Sequence, residues 1–171
     1  HMRDRYSPTP EKDSFYHCTP ERLRLGADAL LKTLKSFRVE GLENLKEKVE
    51  GEKEQKYIVA AAHTSNLDVP AAIKALGEKF DLQFAIYGPL LEWPIQKRMI
   101  DLAGKDRFSP LDTTKFNPKN FNTLQEEMQK GKTPWIALQP FTFGKPMTKA
   151  RTGPVYLAQR TGAKIIPTAL D

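Results

Sequence analysis

A histidine and an aspartate five positions apart are the side chains of this sequence best suited to move a proton. They lie in Tyr57-Ile-Val-Ala-Ala-Ala-His63-Thr-Ser-Asn-Leu-Asp68-Val-Pro70. An imidazole titrates near neutral pH, and a carboxylate within reach fixes its tautomer and stabilises the imidazolium formed when it accepts a proton. The spacing lets the chain bend back far enough for Asp68 to meet His63. Three other readings stand beside this one. Asp68 is also a good helix N-cap. His63, directly after an apolar run, also reads as a hydrogen-bonded structural residue. Ser65 is placed to be a hydrolase nucleophile, although the chain has no G-x-S-x-G elbow. Metal ligation finds no support, because no second His or Cys lies at ligand spacing.

The elements around the pair follow from local pattern. Tyr57 to Ala62 is short, apolar and rich in small and β-branched residues, which predicts a buried strand; Ala71 to Leu76 predicts a helix closed by Gly77. Pro70 lacks an N–H and suits only the first helical turn, which puts the N-cap between Leu67 and Val69, with Asp68 the best capping side chain. A polar turn between a strand and a helix is where open α/β sheets place their chemistry.

Further strands are predicted near Phe37 to Gly41, at Leu82 to Tyr87, at Pro134 to Leu138 and from Lys164 onward, the last as a core strand. Thr19-Pro20-Glu21 starts a helix, with Leu23, Ala27, Leu30, Leu34 and Phe37 at helical spacing. That stripe either packs on the core or lies on a membrane with Arg22, Arg24, Lys32 and Lys35 toward head groups. Glu92 to Leu102 and a segment opened by Asn117-Pro118 also read as helices; the latter has Phe121, Leu124 and Met128 inward and Gly131 at its end. Arg151-Thr-Gly153-Pro154 opens the last. Glu43 to Lys56 reads as a solvated loop or short helix. The fold class expected is α/β, a mostly parallel central sheet flanked by helices on both faces.

Residues 1–18 read as a flexible arm whose first two residues, His1-Met2, look like a cloning scar, and 19–171 as a single domain. No run approaches the roughly 18 apolar residues of a membrane span. The one cysteine, Cys18, excludes an internal disulfide and a Cys-based zinc cluster. With 27 basic against 21 acidic residues the net charge is +6, which favours anionic partners. Basic residues are scattered rather than interleaved with aromatics, and no nucleic-acid motif is present, so nucleic acid is not expected.

His63-Thr-Ser-Asn-Leu-Asp68 matches the H-x-x-x-x-D motif of the glycerolipid acyltransferase superfamily, which includes the 1-acylglycerol-3-phosphate acyltransferases. Arg38-Val-Glu-Gly-Leu-Glu-Asn-Leu45 resembles the segment before that motif. Arg151-Thr-Gly-Pro-Val-Tyr-Leu-Ala158 and Thr161-Gly-Ala-Lys-Ile-Ile-Pro167-Thr-Ala-Leu170 resemble its last blocks, in the right order. The resemblance implies transfer of a fatty acyl group from acyl-CoA or acyl carrier protein to a lysophospholipid-like acceptor. No cofactor or metal is needed. His63 would be the general base and Asp68 its partner. It also implies peripheral contact with an anionic membrane surface on the cytoplasmic, inner face. Substrate contacts would come from Ser65, Asn66, Arg107, Thr142, Gly144, Lys145 and Arg151. Family members continue beyond Leu170, so the chain reads as C-terminally incomplete.

One block departs from the pattern. Where the family carries Glu-Gly-Thr-Arg, this chain has Gln139-Pro-Phe-Thr-Phe-Gly144-Lys145. The acid and the arginine are both missing. A lysine is a point charge without the planar guanidinium fork, so a phosphate held there is held less directionally. A catalytically weak lipid-binding or partner-binding protein of the same family is therefore the alternative expectation.

Overall fold

The computed structural model describes residues 19–32, 36–45, 55–65, 67–88, 94, 97, 100, 105–111, 118–139 and 149–169. Five strands form one parallel sheet: β1 (Tyr57–Ala61), β2 (Leu82–Tyr87), β3 (Phe108–Leu111), β4 (Thr133–Ala137) and β5 (Lys164–Thr168), in the order β3-β2-β4-β1-β5. Among the described residues the continuous α-helices are α1 (Pro20–Leu31), α2 (Asp68–Leu76), α3 (Asn120–Gln129) and α4 (Gly153–Thr161).

Side chains alternate between the two faces of the sheet, and each face meets its own pair of helices. Val59 and Ala61 of β1, Leu82 and Phe84 of β2, and Trp135 of β4 pack with Leu23 and Ala27 of α1 and Ile73 and Leu76 of α2. Ile58 and Ile136, one residue out of phase, pack instead with Phe121, Leu124 and Met128 of α3 and Leu157 of α4. A β1–α2–β2 connection passes over β4, and the β4–α4–β5 connection passes over β1 in the opposite direction. Right-handed crossovers require those two helices to lie on opposite faces. Open α/β sheets place their crevice at such a reversal, here between the carboxyl ends of the neighbours β1 and β4.

Two expectations about the strands change. Residues 36–40 pair with no strand: Arg38, Val39 and Glu40 are exposed, and Gly41 turns the chain at φ 82° into a 3-10 turn over Leu42–Asn44. The missing strand is β3, whose four residues include Pro110. A proline is tolerated there because β3 is an edge strand. β5 is not a core strand; it is the opposite edge, and most of it is exposed. The α1 stripe ends at Leu31 and packs against α2, with Arg24 paired to Glu78 at 3.0 Å and Lys74 to Asp28 at 2.5 Å. Leu34 lies outside the described residues. So does most of the 92–102 helix, of which Pro94, Lys97 and Ile100 are helical and Ile100 is buried.

The amino ends of β2 and β3 hold a polar cluster. Lys132 donates to Gln83 Oε1 at 3.1 Å and to the Asp106 carbonyl at 3.3 Å, and Gln83 Nε2 donates to Ser109 Oγ at 3.0 Å. Lys130 and Lys132 both meet Glu127 at 2.7 Å. Burial pushes the Glu127 carboxyl up, but the hydrogen bonds and charges of the two ammonium groups outweigh it and hold it below its ordinary 4.5. A depressed folded value means that this stabilisation is complete above the ordinary carboxylate pKa and is lost as acid titrates Glu127 through its lower folded value. Glu127→Gln should cost about 1 kcal/mol in denaturant unfolding at neutral pH, and the difference from wild type should close in strongly acidic buffer. A deficit independent of pH would mean the side chain matters through packing.

Candidate active site

His63 stands two residues past the end of β1, on the turn that leads into α2. Its Nδ1–H donates to Asp68 Oδ2 at 2.8 Å. The same oxygen accepts the N–H of Thr64 at 2.8 Å and the N–H of Ser65 at 2.9 Å. The Ser65 carbonyl accepts the Asp68 N–H at 3.2 Å and its hydroxyl accepts the Leu67 N–H at 3.1 Å, closing the turn. Asp68 is therefore no N-cap. Leu67 holds that position without a side-chain cap, and Asp68, the first helical residue, turns its carboxylate back onto the turn. Its placement at a helix N-terminus favours a negative charge.

Burial decides what this bond can do. The Asp68 side chain is 4 % exposed and that of His63 22 %, so their contact is shielded from water while the ring stays accessible. Asp68 Oδ1 has no hydrogen-bond partner among the described residues. A carboxylate only accepts, so the contact puts the imidazole proton on Nδ1 and leaves the lone pair on Nε2. A ring held in that tautomer can take a proton at Nε2 and share the resulting charge with a buried carboxylate.

The ladder explains why the ring sits in a crevice. Leu138 N–H still donates to the Ala61 carbonyl at 2.8 Å, but the Leu138 carbonyl accepts the Arg151 N–H at 2.7 Å. A continuing parallel ladder would give that carbonyl to His63. The buried Gln139 follows directly after that last rung. Trp135 of β4 meets the His63 ring edge to face, at 5.8 Å between centroids and 88° between planes. Beside the pair, a cavity of about 590 Å³ runs along α2 over β1 and β5. Asp68, Ala71, Ala72 and Ala75 form one wall, and the 37–45 segment, with Phe37, Leu42 and Leu45, forms the outer one. Phe37 to Gly41, expected as a strand, thus lines the cavity instead.

Other site expectations divide. Ser65 lies in the turn, and its hydroxyl is engaged by the Leu67 N–H. Arg151 reaches the carboxyl end of β4 through its backbone. Asn66, Thr142, Gly144 and Lys145 lie outside the described residues. Arg107 is not brought to the crevice. It is buried at the amino end of β3, ion-paired with Asp81. By the register it lies level with Ile58, near the amino end of β1 and three strands away from it. A guanidinium there braces the foot of the sheet. Trp135 was not anticipated as a site residue, since only its place on β4, next to β1, brings its ring against His63. Among the described residues no group of three His, Cys, Asp or Glu is arranged to hold a metal ion, and no helix is long and apolar enough to cross a membrane.

Comparison with known proteins agrees with this architecture. The family model described as Acyltransferase matches residues 36–171, most of the chain. A search of curated proteins finds no match. Among solved structures, the fold is similar to that of the 1-acyl-sn-glycerophosphate (LPA) acyltransferase PlsC from Thermotoga maritima, with a TM-score of 0.62 and 18 % identity. The match covers 86 % of this chain and 56 % of that one, so the chain spans little more than half the enzyme it resembles. That likeness is one of fold, and with the family model extending over 36–171 the chain belongs to the acyltransferase family.

Proposed function

We propose that this protein transfers a fatty acyl group from an acyl thioester, on coenzyme A or acyl carrier protein, to a hydroxyl of a lysophospholipid-like acceptor. The observation that carries the reading is the 2.8 Å bond between His63 Nδ1 and the buried Asp68 carboxylate, at the crevice between the carboxyl ends of β1 and β4. His63 Nε2 takes the proton of the acceptor hydroxyl as its oxygen attacks the thioester carbonyl, and Asp68 balances the imidazolium. The proton then passes to the departing thiolate. No acyl-enzyme and no cofactor beyond the donor is needed. The cavity lined by Ala71, Ala72, Leu42 and Leu45 suits the acyl chain, which leaves water for an apolar wall at about 25 cal/mol per Å².

Acceptor identity follows from the altered block. Without the family's glutamate and arginine, a phosphomonoester at this block meets Thr142, Gly144 and Lys145 in place of a guanidinium fork. Losing one bidentate charge-assisted contact removes a few kcal/mol, one or two orders of magnitude in specificity. The preference for lysophosphatidate over lysolipids lacking a terminal phosphate should therefore stay below a hundredfold in kcat/KM. A larger preference, abolished by Lys145→Ala, would mean the phosphate site has been rebuilt. The net charge of +6 supports docking on anionic lipid at the cytoplasmic face, weakening with salt.

One assay separates the reaction classes. Protein is incubated with acyl-CoA or acyl carrier protein, with and without lysolipid. Acylated lipid is the expected product. Free fatty acid in the absence of acceptor would assign a hydrolase, and neither product would assign a binding protein.

A further inference from the structure

A row of rings crosses the face of the sheet that α1 and α2 cover. Phe108 of β3 stacks on Phe84 of β2 at 5.7 Å, and Phe84 meets Trp135 of β4 at 5.8 Å. These three share one register level, since Phe84 is the partner of both Phe108 and Trp135. The row ends on a fourth ring that comes from beyond β1, the His63 imidazole. Trp135 is 3 % exposed, and it also lines the apolar cavity beside Ala61 and Ala72.

The Asp68 bond fixes one atom of the imidazole. It leaves the ring free to swing about that contact, because the terminal torsion of histidine has a broad energy well. A plane at right angles to the ring, itself immobilised by two further aromatic rings, closes that freedom. Trp135 lines the same cavity as Ala71, Ala72 and Ala75, so a chain lying in it touches the indole.

We infer that Trp135 is the positioning residue of the base: it sets the plane of His63 and ties that plane to occupation of the apolar cavity. The inference rests on the acyl-transfer reading. A ring misplaced by about 1 Å can cost up to a hundredfold in rate, so the effect belongs in kcat rather than in donor affinity.

The test compares Trp135→Phe and Trp135→Leu in the full chain, with acyl-CoA and lysolipid as substrates. Trp135→Phe, which keeps a plane, should hold kcat within about threefold of wild type. Trp135→Leu should lose tenfold or more in kcat, with the donor KM within about threefold and cooperative unfolding retained. A Trp135→Leu enzyme with wild-type kcat overturns the inference.

A second measurement does not require that variant to fold. The chain has two tryptophans, so Trp93→Phe leaves Trp135 as the reporter. In that background His63→Gln, which removes the ring meeting Trp135 edge to face, should change the Trp135 emission spectrum. Identical Trp135 spectra with and without His63 overturn the contact. Acyl transfer that survives His63→Gln instead refutes the base. Loss of transfer in His63→Gln with full activity in Trp135→Leu refutes only the role of Trp135.

Discussion

His63→Ala is expected to lower kcat for acyl transfer by 10²- to 10⁴-fold while the protein stays folded. The magnitude follows from what the side chain is proposed to do. A glycerolipid hydroxyl is a weak nucleophile at neutral pH, and removing its proton as the bond forms is the step a positioned base assists. Among the described residues of the turn nothing else replaces it. The Ser65 hydroxyl is occupied by the Leu67 N–H, and the Asp68 carboxylate is engaged by the Thr64 and Ser65 N–H groups. Stability should change little, because those two bonds survive the substitution. The informative measurement is initial rate against acceptor concentration, alongside thermal unfolding. A folded His63→Ala enzyme with near wild-type turnover would sink the mechanism.

Asp68→Asn should be nearly as severe in rate, about 10²- to 10³-fold, and milder in stability. An asparagine oxygen can still accept the N–H groups of Thr64 and Ser65, so the turn keeps its shape, but the charge that balances the imidazolium is gone. Asp68→Ala separates the two contributions. It should match Asn in lost rate and cost a further 1 to 3 kcal/mol or so, because two backbone donors lose their acceptor. Rates and denaturant midpoints for the three proteins decide the matter. If Asn retains activity within a fewfold and Ala does not, Asp68 only shapes the turn, and its charge plays no part in proton transfer.

Much of the scaffold was legible along the chain. Tyr57 to Ala61 and Leu82 to Tyr87 are apolar, β-rich runs bounded by polar residues, and both are strands as expected. Phe121, Leu124 and Met128 recur at three and four residues, and all three are buried on α3. The proximity of His63 to Asp68 was equally local: five residues, a turn and a proline that fixes where the helix starts. Signals of this kind are carried by neighbours in sequence, so they survive without knowledge of what lies across the fold.

What the sequence could not determine is whatever depends on pairing between distant strands. Phe108 to Leu111 carries too few residues and a proline, and becomes a strand only because β2 offers it an edge. Phe37 to Glu40 has the look of a strand but finds no partner and walls the cavity instead. Arg107 resembled a substrate contact until the β2–β3 register set it at the foot of the sheet. Trp135 carries no local mark of a site. The face it shares with the His63 ring follows from one register, Val59 opposite Trp135, and a shift of one residue would turn its side chain to the other face. Composition and period select strands and helices one at a time, but register is settled by the packing of both sheet faces together, and that packing decided what surrounds the histidine.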